Sequence, residues 1–71
     1  MIAQIELIEG LTNLYNIKYR SGSGWIDVYG RDNESYTFKE IDGVLYFENE
    51  PIEANEIIDI FNGYFNQFER V

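Results

Sequence analysis

The clearest hydrophobic periodicity lies at the C-terminal end of the chain. Ala54, Ile58, Phe61, Phe65 and Phe68 recur at i, i+4, i+7, i+11 and i+14, with Ile57 and Tyr64 flanking the stripe. This spacing predicts one amphipathic helix over 54–68 with an aromatic core face. Pro51 suits the turn before it, and Glu53 and Glu56 suit its electropositive start. Gly63 lies inside the stripe, where glycine costs about 1 kcal/mol relative to alanine. It marks a close packing, a bend or an end of the helix.

The middle of the chain alternates with period two. Tyr15, Ile17 and Tyr19 alternate with Asn16, Lys18 and Arg20, which predicts a first strand. Ser21-Gly22-Ser23-Gly24 is a turn, Trp25–Tyr29 a second strand, and Gly30-Arg31-Asp32-Asn33 a second turn. A third strand surrounds Tyr36 and Phe38, Asp42-Gly43 is a tight-turn signal, and Val44–Glu48 is a fourth strand. Residues 2–9 read both ways. Ala3, Ile5 and Leu7 alternate as in a strand, the expected state, while Met1, Ile5 and Ile8 fit a short helix, the alternative.

Short turns between successive strands imply an antiparallel meander. The expected architecture is α+β: one domain over 1–71, a small sheet of four or five strands with the C-terminal amphipathic helix on one face. One helix covers one face only. If Tyr15, Ile17, Tyr19, Phe38 and Tyr46 face the helix, then Leu14, Ile26, Val28, Ile41, Leu45 and Phe47 lie partly on the other face. The N-terminal segment, a partner or a second copy would then cover them.

Composition narrows the chemistry. Without Cys there is no disulfide framework, thiolate nucleophile or Cys-based zinc site. Without His there is no Ser-His-Asp triad, His metal ligand or switch near neutral pH. At 45% hydrophobic and 17% aromatic, the chain is a folded domain and not a solvated acidic tail. The apolar runs are too short for a membrane span, and the N-terminus lacks the basic start of a signal peptide. A cytoplasmic protein is expected. The abundance of Ile, Asn, Tyr and Phe suggests an AT-rich gene of a Gram-positive bacterium, its phage or a mobile element.

Charge is the most informative feature. The formal net charge is −8, from 13 acids and 5 bases. Glu40, Asp42, Glu48, Glu50, Glu53, Glu56 and Asp59 follow one another with no Lys or Arg between 40 and 59. Glu53, Glu56 and Asp59 are spaced i, i+3, i+6, so on a helix they form a ridge that Glu48 and Glu50 extend. Helix-start preference and solubility account for such acids without any function. The functional alternative is an acidic surface that docks on a basic partner. Trp25 and Tyr29, at strand ends beside turns, are the expected aromatic anchors of the same interface, against the plain reading that Trp25 is core.

Other chemistry fits less well. The carboxylate pairs lie on a helix start or in turns, where no cleft raises a pKa for acid–base work. Neither Asp32-Asn33-Glu34 nor Glu48-Asn49-Glu50 has the spacing of a calcium loop. No Gly-Lys-Ser/Thr follows the glycine-rich turn, so it is no phosphate loop. Aromatic strands with Lys18, Arg20 and Arg31 nearby could stack bases, but a net charge of −8 opposes phosphate contact. No cofactor, no metal and no direct nucleic-acid contact are expected.

Small size, acidity, absence of Cys and the sheet-plus-helix pattern resemble the small acidic phage-encoded inhibitors of the anti-CRISPR and anti-restriction type. The resemblance is one of overall character, carried here by Glu48, Glu50, Glu53, Glu56 and Asp59. Several such inhibitors place carboxylates where nucleic-acid phosphates would sit, acting as DNA mimics. The resemblance implies a non-enzymatic inhibitor or adaptor, in the host bacterial cytoplasm, that docks on a basic nucleic-acid-handling protein. An antitoxin or immunity protein is a variant of that reading. The alternative is a structural or assembly protein that self-associates through an uncovered sheet face, for instance as a homodimer.

Overall fold

The computed structural model of the chain describes residues 4–65. Helix α1 (Gln4–Leu14) comes first. Strands β1 (Tyr19–Gly22), β2 (Trp25–Tyr29), β3 (Ser35–Ile41), β4 (Val44–Phe47) and β5 (Glu50–Ile52) follow. They form an antiparallel sheet in the order β1-β2-β3-β4-β5. A helical segment closes the described chain: a 3₁₀ turn (Ala54–Glu56), the short helix α2 (Ile57–Ile60) and a π-helical turn (Phe61–Phe65). The expected α+β meander with a C-terminal helix is the fold observed, with five strands. Phe68 of the predicted helix lies outside the described residues.

Residues 4–14 are helical, so the strand expected over 2–9 is corrected to its helical alternative from residue 4 onward, residues 2 and 3 lying outside the described residues. Ile5, Ile8 and Thr12 form the buried stripe, at i, i+3 and i+7. The helix ends in a Schellman arrangement. Asn16 takes a left-handed conformation (φ 61°), Asn16 N–H donates to Asn13 O (3.2 Å), and Ile17 N–H donates to Thr12 O (2.8 Å). This ending also corrects the expected strand over 15–19. Tyr15 and Ile17 belong to the helix end, and pairing starts only at Tyr19. All three still point inward, because a buried residue after the cap is part of that motif.

The alternation in β2, β3 and β4 sorts the sheet into two faces. Ile26, Val28, Phe38, Leu45 and Phe47 are buried on one face, and Ile57, Phe61 and Phe65 pack on them. Phe38 lies at the centre, with ring centroids 4.7 Å from Phe47, 6.0 Å from Phe65 and 6.2 Å from Phe61. Helix α1 covers the same face, as Glu9 accepts from Tyr19 Oη (3.0 Å) and Glu40 accepts from Gln4 N–H (3.1 Å). The expected division of residues between faces is therefore corrected. Tyr46 lies on the face away from the helices, where Ile41 is expected and found, while Ile26, Val28, Leu45 and Phe47 lie under the helices. The N-terminal segment does not cover the second face. It joins the other helix on the first.

Turn chemistry sets the register. Asp42 and Gly43 both have positive φ (53° and 81°), as a two-residue hairpin turn requires. Glu48 and Asn49 (52° and 71°) make a second such turn and so create β5. Pro51 fits β5 because an edge strand leaves one side unpaired. Between β2 and β3, Asp32 accepts from Glu34 N–H (3.0 Å) and from Tyr36 Oη (2.7 Å). The Tyr36 hydroxyl and the Glu34 amide hold the Asp32 carboxyl below its ordinary pKa, and the Asp32 carboxylate pushes Tyr36 up to about 12.

Candidate functional site

The acidic segment begins in the β4–β5 turn and continues along the C-terminal helical segment. Glu48, Glu50, Glu53, Glu56 and Asp59 are all exposed. Their hydrogen bonding divides them. The Glu48 carboxylate accepts from Thr37 N–H (2.8 Å), and Glu48 N–H donates to Thr37 O (2.9 Å). Glu48 thus completes the edge of β3, and its left-handed backbone is held by these two bonds. Glu53 stands at the N-cap of the 3₁₀ turn, but its side chain makes no capping bond, and neither does that of Glu56 at the start of α2. The local explanation for their presence, capping of a helix start, is thus not realised through hydrogen bonds.

Among the described residues the one ion pair is Arg20–Asp27 (3.1 Å), on the sheet. Glu50, Glu53, Glu56 and Asp59 therefore present their charge outward without a cation of the described chain to neutralise it. No three acids among the described residues come close enough to hold a metal ion. Beyond the burial of Ile57, Phe61 and Phe65, the β2–β3 turn ties down the end of this segment. Arg31 donates from Nη2 to Gly63 O (2.6 Å) and from its backbone N–H to Tyr64 O (3.0 Å). Gly63 marks the π-helical turn, whose exposed carbonyl Arg31 takes, and not a close packing, since a Cβ there would meet nothing within 4 Å.

Trp25 and Tyr29 lie elsewhere. Both are half-buried on the open face of β2, with Asp27 between them. The structure therefore leaves Glu50, Glu53, Glu56 and Asp59 exposed along β5 and the C-terminal helical segment and places Trp25 and Tyr29 on the sheet face turned away from the helices. Trp25 is not core. Its indole lies over Gly22, where a Cβ would come within 2.4 Å of Trp25 Nε1.

Sequence reasoning missed an apolar stripe on the helical side. Leu7, Leu11 and Leu14 line a shallow groove on α1 with Glu6 and Gly10. Leu7 is 49% and Leu14 71% exposed, so the outer side of α1 is apolar as well as its core side. The signal was present as i, i+4, i+7 spacing, but it is legible only once residues 4–14 are known to be helical. Ile58 adds an exposed apolar residue between Glu56 and Asp59. Neither helical region holds a Lys or Arg among the described residues. The helical side is thus acidic and apolar, and the described bases lie on the sheet and in the β2–β3 turn.

Comparison of the chain with known protein families, with curated proteins and with solved structures gave no match. Among the described residues no helix is long and apolar enough to cross a membrane.

Proposed function

We propose that this chain is a non-enzymatic protein-binding inhibitor that docks its acidic helical side on a basic, nucleic-acid-handling protein. The observation that carries this reading is the set Glu50, Glu53, Glu56 and Asp59: all exposed, their carboxylates without a hydrogen bond or ion pair to another described residue. Unpaired surface charge of one sign steers a partner of the other sign and speeds encounter. Charge alone gives little buried area, and Ile58 and the α1 leucines supply apolar anchors on the helical side. In this reading the carboxylates occupy the ground of nucleic-acid phosphates on the target, and inhibition is competition. Glu48 contributes charge to the rim, while its hydrogen bonds to β3 make it chiefly a structural residue.

The self-association reading is less well supported. Pairing the open sheet face with its own copy would bring Lys18, Arg20 and Lys39 of both chains into one interface, and concentrating like charge there is unfavourable.

The test is capture from bacterial lysate by the tagged chain and by the triple variant Glu53→Lys, Glu56→Lys, Asp59→Lys. The expected outcome is one nucleic-acid-binding protein held by the original chain, released by duplex DNA and by added salt, and lost in the variant. Unchanged melting of the variant shows that its fold is intact. A partner held equally by both proteins, or one indifferent to duplex DNA and salt, overturns the reading.

A further inference from the structure

The open sheet face carries chemistry that the acidic side does not. Trp25 on β2, Lys39 on β3 and Tyr46 on β4 stand side by side in one cross-strand row. Neighbouring strands lie about 4.8 Å apart, so the backbone positions of Trp25 and Tyr46 are about 10 Å apart with Lys39 between them. Tyr29 lies further along β2, with Lys18 Nζ 5.4 Å from its ring centroid. Arg20 reaches over Trp25 at 6.0 Å and pairs with Asp27, whose other oxygen accepts from Thr37 Oγ1 (2.7 Å). The Arg20 side chain remains 69% exposed while that of Asp27 is 15% exposed, so the cation faces outward and the acid does not.

Three of the four bases in the described residues therefore share a face with three half-buried rings, and the one acid among them is neutralised. We propose that this face binds single-stranded nucleic acid, with bases stacked on Trp25 and Tyr46 and a phosphate over Lys39. Ring, cation, ring is what a splayed strand needs: a π surface for each base and a positive charge for the backbone between them. Duplex DNA buries its base faces and cannot use the rings. The objection from net charge treats the protein as a point. Its two shorter dimensions are 21 and 19 Å, while screening at ~0.15 M salt sets in within about 8 Å. The carboxylates of the helical side are thus largely screened from a strand on the opposite face. This inference stands independently of what the acidic side binds.

Trp25 is the sole tryptophan and reports on its own face. The experiment titrates the full chain with a fluorescent oligonucleotide of about twelve nucleotides, single- or double-stranded, at ~0.15 M salt. It follows both Trp25 emission and oligonucleotide anisotropy. The expected result is quenching of Trp25 by the single strand, little response to the duplex, and about tenfold or greater weakening by Tyr46→Ala. Lys39→Glu should weaken binding comparably, and Lys39→Arg should retain it. Far-ultraviolet circular dichroism confirms that each variant is folded. Absence of quenching and anisotropy change, equal binding of duplex, or indifference to Tyr46→Ala and Lys39→Glu each overturns the proposal. Displacement of the strand by polyglutamate at equal charge concentration would also overturn it, because the face would then be an acidic-peptide site.

Discussion

Phe38 and Tyr46 sit on neighbouring strands but on opposite faces of the sheet, and truncating each tests that division directly. Phe38 is fully buried and touches three other phenylalanine rings. Phe38→Ala should remove about 3–5 kcal/mol, from lost transfer energy and the cavity left behind. A domain of this length has roughly 4–11 kcal/mol in total. The loss is thus a large share of its stability and lowers Tm by at least about 12 °C. Tyr46 is half-buried on the open face, where its neighbours across the strands are Lys39 and Pro51. Tyr46→Ala should remove at most about 1 kcal/mol, the range of a cross-strand pair. Urea unfolding followed by circular dichroism measures both, the difference appearing in the midpoint at similar slope. If Tyr46→Ala is as damaging as Phe38→Ala, the face is not open, because something in solution buries it. The assignment of a free aromatic and cationic surface would then fall.

Two further outcomes follow from the β2–β3 turn. Asp32 has a lowered pKa, so the stability it contributes is present above its unfolded value of 3.8 and is lost as pH falls through the lower folded value. Tyr36 is raised to about 12, so its contribution is present below 10 and is lost as pH climbs towards 12. An acid and an alkaline titration of Tm should show both losses in the original chain. Asp32→Asn should reduce both, and identical pH profiles would refute the pairing. Gly30 is the second probe. A Cβ there would stand 2.9 Å from Tyr36 Cε1 and 3.0 Å from both Asp32 Oδ1 and Tyr64 O. Gly30→Ala should therefore cost about 1–3 kcal/mol in urea unfolding, since the turn and the C-terminal segment must part. A neutral effect would show that these elements do not meet closely in solution.

The meander was legible because its signals are local. Asp42-Gly43 named its own turn, and the alternation of β2, β3 and β4 needed no tertiary information. What was not legible depends on positions that read the same in two contexts. Tyr15, Ile17 and Tyr19 point inward whether they lie on a strand or across a helix end, so the alternation was real and its meaning was not. Asn16 before Ile17 was the available sign of a helix stop. The turn at Glu48-Asn49 lacks glycine, and Glu48 is held there by hydrogen bonds to Thr37 that only the folded sheet supplies. The acidic run was visible as a run. That Trp25 and Tyr29 face away from it required the register, which no residue pattern contained.

The acidic segment also bears on what stability alone can explain. Glu53 stands at the cap of the 3₁₀ turn, Glu56 at its end and Asp59 three residues further on, so three acids share this short helical segment. Each like-charge pair costs about 0.2–0.5 kcal/mol. The first turn of a helix returns about 0.3–1 kcal/mol for a nearby acid. The two effects nearly cancel for Glu53 and Glu56, so their presence is close to neutral for the fold. Glu50 has no helix end to favour it, and its partner across the strands is Phe47, not a cation. Five acids elsewhere are used internally: Glu9 by Tyr19, Asp27 by Arg20, Asp32 by Tyr36, Glu40 by the start of α1 and Glu48 by β3, while Glu6, Glu34 and Asp42 are exposed with no side-chain bond to another described residue. The same residue type is thus tied down at five positions and left free at others, of which Glu50, Glu53, Glu56 and Asp59 follow one another with no base between them. Net charge is the sum of those two populations, and only the free one is available to a partner.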